Sequence, residues 1–149
     1  MARFRFELEA VLQHRLRLEQ EQQRVVAELE STRANLEGTI RSCQDGLVRE
    51  RTEMRTLLES SDIRGAKFQS GAASRLIATA QRAVLELAGV HKRLEAARAT
   101  LLEATKSRKA VELLKERRLE EWRYQQARRE AEAIDEIAVM RAGYGDELS

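Results

Sequence analysis

In 149 residues without a single proline, only 4% are aromatic and 35% are charged, a composition that excludes an ordinary compact globule and favours long helices built from Ala, Leu, Glu, Gln, Arg and Lys. The 27 basic and 25 acidic residues leave a formal charge of +2, a mixed surface that speaks against a nucleic-acid field. No run of about 20 apolar residues occurs, "MARFRFELEAVLQHR" lacks a signal-peptide core, and the solitary Cys43 suits a reducing compartment, so the expectation is a cytoplasmic chain with no direct membrane insertion.

Along the chain, heptad spacing predicts a first helix over about 5–60. Phe4, Leu8, Val11, Arg15, Leu18, Gln22, Val25, Leu29, Thr32 and Leu36 form its seam, which resumes through Ile40, Cys43, Leu47, Glu50, Met54 and Leu57 after a stutter near Leu36 to Ile40. Across "SSDIRGAKFQSGAAS" the periodicity fails, and Gly65, Gly71 and the serines predict a connector over about 61–73. A second helix, about 74–142, carries the seam Leu76, Ala80, Ala83, Leu87, Val90, Leu94, Ala97, Leu101 and Ala104, with a frayed tail over 143–149. The fold class is therefore all-α: a single domain over 1–149, a long two-helix antiparallel coiled-coil hairpin with a protruding C-terminal helical extension. Folding about that connector pairs Leu36 with Ala97, Leu29 with Ala104, Val11 with Trp122 and Phe4 with Arg129. Past Ala104 the second seam turns polar through Arg108, Val111, Lys115, Arg118, Trp122, Gln125 and Arg129, so the end holding both termini is the less well sealed. Beyond Arg129 the helix has no partner of its own and reads as polar nearly all round.

Chemistry is sought and not found. "GAKFQSGAAS" has five residues between its glycines and Ala72-Ala73 where a phosphate-binding loop needs Lys and a hydroxyl, so it is a hinge or tip loop. His14, Cys43 and His91 lack metal-ligand spacing; the expected register brings His91 toward 41–43, but one thiol and one imidazole make neither a zinc site nor a triad. No catalytic residue, cofactor or metal is expected. Trp122 and Tyr124 lie about 200° apart on a helix and cannot stack one ligand between them; Trp122 is expected to close the hairpin end against Val11, leaving Tyr124 for an external contact. Interleaved glutamates make the arginine runs a solvated coiled-coil face.

The first helix opens with Phe6, Leu8, Val11, Leu12, Arg15 and Glu19 in the arrangement F-x-L-x-x-V-L-x-x-R-x-x-x-E, and the second carries "KAVELLKE" from Lys109 to Glu116 and "DEIA" from Asp135. Together these resemble the terminal patterns of the flagellar export protein FliJ family over almost the whole chain. The resemblance implies a non-enzymatic cytoplasmic stalk of the type III export apparatus, held at the inner face of the cell membrane through that apparatus. It implies three partners: the export ATPase ring, gripped by the end bearing the termini, the export-gate membrane protein, and export chaperones. The partner-binding candidates carried over are Phe6, Leu8, Arg15, Lys109, Glu112, Lys115, Glu116, Asp135 and Glu136, joined by Tyr124 on its exposure. Phe68 to Arg82 follows no pattern that would transfer gate contacts. Alternatives are the stalk homologue of an injectisome, a structural homo-oligomeric coiled-coil spacer, and an arginine-rich nucleic-acid clamp.

Overall fold

The computed structural model describes residues 2–146. Two helices, α1 (Glu9–Glu59) and α2 (Ile63–Asp146), pack against each other, and no strand occurs among the described residues. The all-α helical hairpin expected from the periodicity is thus present. Of the tail expected to fray over 143–149, residues 143–146 continue α2, and 147–149 lie outside the described residues. The chain divides into two compact units, Gln20–Glu103 and Met1–Glu19 with Ala104–Ser149.

In the unit Gln20–Glu103 the chain reverses within three residues. Ser61 takes a left-handed φ of 59°. The Asp62 amide donates to the Leu57 carbonyl (2.9 Å) and the Ser61 amide to the Leu58 carbonyl (3.2 Å), the paired bonds of a Schellman C-cap with serine where glycine is usual. Asp62 then caps the next helix, its Oδ1 accepting from the Gly65 amide (3.0 Å). The connector expected over 61–73 is accordingly corrected: α2 begins at Ile63 and includes both glycines. Gly65 is there for closeness: a Cβ would lie 2.5 Å from the Asp62 carboxylate and 3.0 Å from the Leu57 side chain. Ala66 and Gln69, inside the supposed connector, are buried against α1, and the Gln69 amide donates to both Glu50 and Glu53.

The seam in this unit runs without interruption. On α1 the seam positions Gln22, Val26, Leu29, Arg33, Leu36, Ile40, Cys43, Leu47, Glu50, Met54 and Leu57, in alternating steps of four and three, are all buried or half-buried, as are Glu30 and Gly46 beside them. No stutter exists near Leu36 to Ile40. The apparent insertion arose from following Val25 and Thr32, which are exposed, in place of their neighbours Val26 and Arg33. Arg33 occupies a seam position because its Nη2 reaches Glu30 at 2.6 Å. On α2 the expected seam from Leu76 to Leu101 is buried or half-buried throughout, with Val90 and Leu94 the most enclosed.

The shorter reversal changes which residues face one another. Gly46 meets Leu76, at a spacing where a Cβ would come within 3.1 Å of the Leu76 methyl, and Glu30 meets Arg98. Leu36 borders Thr79, Ala83 and Glu86, and not Ala97. Cys43 is a buried free thiol, as a small seam residue should be. His91 is exposed. The expected Cys43–His91 neighbourhood came from the displaced register, with Cys43 now lying near the Gly46–Leu76 level.

In the unit that holds the terminal segments, α1 starts at Glu9 rather than near residue 5. Residues 2–8 form an irregular strap whose last turn is closed by the Glu9 amide donating to the Phe6 carbonyl (3.2 Å). On α1 Leu12 and Glu19 are buried, each one residue later than the expected Val11 and Leu18, which are exposed, with the expected Arg15 half-buried between them. On α2 the half-buried positions past Trp122 and before it are Gln126 and Leu119, in place of Gln125 and Arg118. From residue 127 to 145 every residue of α2 is exposed.

Candidate functional site at the terminal end

The terminal unit is closed by apolar side chains from the irregular strap, not by a continued heptad. The Phe4 ring lies 6.0 Å from that of Trp122 with the planes tilted at 57°, a favourable aromatic pair. Trp122 is therefore covered by Phe4, where Val11 had been expected, and Phe4 does not meet Arg129. Phe6, Leu8, Leu114 and Arg118 join the pair around a cleft of about 330 Å³. Phe4 and Phe6 come from the irregular part of the strap, and the turn closed by the Glu9 amide on the Phe6 carbonyl brings Leu8 to the same cleft.

Beneath the cleft sits a charged node. Arg108 bonds to the buried Glu19 across the helix pair through Nε, and through Nη1 to Glu112 one turn on at 2.6 Å. Hydrogen bonds to Glu19 first and Glu112 second raise the Arg108 pKa above its usual value, so the guanidinium stays charged. Nearer the strap, Lys115 Nζ donates to Glu9 Oε2 at 2.8 Å and Gln13 Nε2 to Glu9 Oε1 at 3.2 Å. These bonds, Lys115's the larger, hold the Glu9 carboxyl below the usual glutamate range. Glu9 also stands in the first turn of α1, where negative charge complements the helix dipole.

A depressed carboxyl pKa stabilises the fold above the group's unfolded value, and that contribution disappears as the pH falls through the folded one. Replacing Lys115 by Ala should return Glu9 toward the ordinary glutamate range, read as an upward-shifted Glu9 titration by carbon-detected NMR. An unmoved titration would show that the Lys115 contact does not set this carboxyl.

Of the ten candidate binding residues, Phe6 and Leu8 meet in the cleft, Glu112 and Lys115 are tied into the ion pairs, and Arg15 is half-buried in the seam. Lys109, Glu116, Tyr124, Asp135 and Glu136 are exposed, Tyr124 to 71%. Trp122 closes this end as expected, though against Phe4, and the structure adds Phe4, Glu19 and Arg108 as groups that hold the end together. Spacing rules passed over Glu19 and Arg108 because a polar residue at a seam position scores as an interruption unless its partner on the other helix is known. The exposed extension is also less polar than its composition suggested: Ile134, Ile137, Met140 and Tyr144 are all at the surface. No group of three or more metal-ligating side chains occurs among the described residues.

The family model described as "Flagellar FliJ protein" matches residues 4–145. The chain belongs to the FliJ family. This makes it a component of the flagellar protein export apparatus, in a family of non-enzymatic, structural or chaperone-like proteins. Neither the curated proteins nor the solved structures contain a significant match. The match runs from the strap that carries Phe4 and Phe6 to the extension that carries Tyr144, so the cleft, the charged node and the exposed helix of this FliJ family member all fall inside it. No helix among the described residues is long and apolar enough to cross a membrane.

Proposed function

We propose that this FliJ family chain is a stalk that enters the central opening of the export ATPase ring with its terminal end and promotes flagellar assembly. The observation that supports this is the helix over 127–145, exposed on every face and continuous with the end that holds the strap and the charged node. A helix exposed all round leaves each of its faces open to the subunits of a ring. Its charges interact with successive loops without locking to one, as with Arg128, whose Nε is already shared with Glu132 at 2.9 Å. Phe6, Leu8, Arg15, Lys109, Glu112, Lys115, Glu116, Asp135 and Glu136 are the residues assigned to ATPase contact in this reading, with Tyr124 left for an external partner. The export-gate membrane protein and export chaperones are further partners in this reading, which places the chain in the cytoplasm and at the inner membrane face through the apparatus.

Deleting 130–149 should abolish stimulation of the ATPase while far-ultraviolet circular dichroism shows the remaining chain still helical. Full stimulation by the truncated protein overturns ring insertion. Self-association with no affinity for the ATPase would favour the structural spacer, and an injectisome role would show as pairing with that system's ATPase in preference to the flagellar one.

A further inference from the structure

One edge of the unit Gln20–Glu103 is chemically lopsided. On both helices the residues that follow a seam position by one border the same edge: Gln44 of α1 and Ile77, Gln81 and Val84 of α2 line a single apolar groove of about 540 Å³ with Ile40 and Leu47. Toward the chain reversal the α1 row continues as Val48, Arg51, Arg55 and Leu58, and the α2 row begins with Ile63 and Lys67. Neither row contains an Asp or a Glu between Gln44 and Val84. Of the acids at this end, Glu50 and Glu53 are bound to Gln69, Asp62 caps α2, and Glu59, which shares a shallow surface hollow with Arg51, Arg55 and Leu58, offsets only part of their charge. Val48, Leu58, Ile63, Ile77 and Val84 are all exposed, and among the described residues no ion pair occupies Arg51, Arg55 or Lys67. A cationic, aliphatic edge with a groove is thus presented to solvent without an occupant of its own.

The chain contains a segment of the opposite kind. Residues 130–140, "EAEAIDEIAVM", carry four acids and no base, and Ile134, Ile137 and Ala138 recur at the spacing by which a helix seats its apolar stripe in a groove. Glu130, Asp135 and Glu136 make no ion pair there. This stretch belongs to the terminal unit, and the groove to the unit Gln20–Glu103. We propose that the acidic extension of one copy docks along this edge of a second copy, its isoleucines in the apolar groove and its acids beside the neighbouring cations, reciprocally, giving a two-fold dimer in which both extensions are masked. Opposite charge sets the pairing, and the isoleucine stripe fills the groove between Ile40, Leu47, Ile77 and Val84. The self-associated form is then the one unable to offer its extension to any other partner. This goes beyond the stalk reading and does not require it.

The test is a charge exchange on the full chain. Wild type should sediment as a concentration-dependent monomer–dimer equilibrium that weakens with salt. A groove variant, Arg51→Glu with Arg55→Glu and Lys67→Glu, and an extension variant, Glu130→Lys with Asp135→Lys and Glu136→Lys, should each associate at least about tenfold more weakly. Mixed in equal amounts, the two variants should recover association, since each groove then faces an extension of opposite sign. All six positions are exposed or at the rim of exposure, so unchanged circular dichroism accompanies each variant. A wild type that stays monomeric at all concentrations, a groove variant that dimerises like wild type, or a mixture that fails to recover overturns the proposal. ATPase stimulation by the groove variant, whose extension is intact, reads the stalk function separately: its loss would count against the stalk reading without touching the exchange result.

Discussion

Leu94→Ala is expected to destabilise the helix pair by about 2–4 kcal/mol, measured by urea unfolding followed by circular dichroism. Leu94 retains 2% of its exposure and lies between Val90 and Ala97 at the most enclosed part of the seam. Alanine is the better helix former, so propensity works slightly in the variant's favour and the whole loss comes from packing. A two-helix interface has no third layer to collapse into the space, and small residues such as Ala83 and Ala97 already bring the backbones close. The comparison that isolates this cause is Leu85→Ala on the same helix. Leu85 is 74% exposed and its removal should stay within about 0.5 kcal/mol. Equal effects at the two positions would mean that the seam does not hold the helices together.

The second large effect belongs to the charged node. Removing the Glu19 carboxylate alone, as Glu19→Ala, leaves Arg108 pointing into a buried seam position with one of its two partners gone, and the melting temperature should fall by several degrees. Replacing both residues by Leu should restore it to the parent value or above, because two apolar side chains in a seam incur no desolvation and pack like the neighbouring Leu12. Glu112, whose side chain is 39% exposed, turns to water in the double variant at little cost. The diagnostic is the sign difference between single and double variants in thermal unfolding. If the double variant is as unstable as the single, the pair itself contributes net stability and the desolvation argument fails. What the pair supplies on this account is register: a glutamate and an arginine on facing helices tolerate only one alignment, whereas leucines tolerate several.

That register was the part of the fold least legible in the sequence. The two helices and most of the α2 seam follow directly from apolar spacing, because Leu76 to Leu101 repeats without a polar interruption. The reversal did not, although its signals were there. Asp62 is a strong helix N-cap residue, and Ala66, Gln69, Ala73 and Leu76 keep heptad spacing straight through the glycines. Gly65 reads as a breaker until its closeness to Asp62 and Leu57 is seen. Moving the turn to Ser60–Asp62 shifts every facing pair, which is why Leu36 was matched to Ala97 and Phe4 to Arg129. The N-terminal phase failed for a different reason: Leu8, Val11, Leu18 and Val25 make a better apolar series than Leu12, Arg15, Glu19 and Val26, and only the partner helix decides between them. The exposed extension was legible as unpaired, but its isoleucine stripe was hidden by the charged residues around it.

A reversal of three residues also leaves no slack. Adding a single residue to either helix between the turn and the terminal end would rotate everything beyond it by about 100° and carry the seam out of contact, with no loop to absorb the difference. Length changes in the packed part of such a chain are therefore confined to whole heptads, matched on both helices. Past residue 127, where the helix is exposed on every side, packing within the chain sets no such limit on its length.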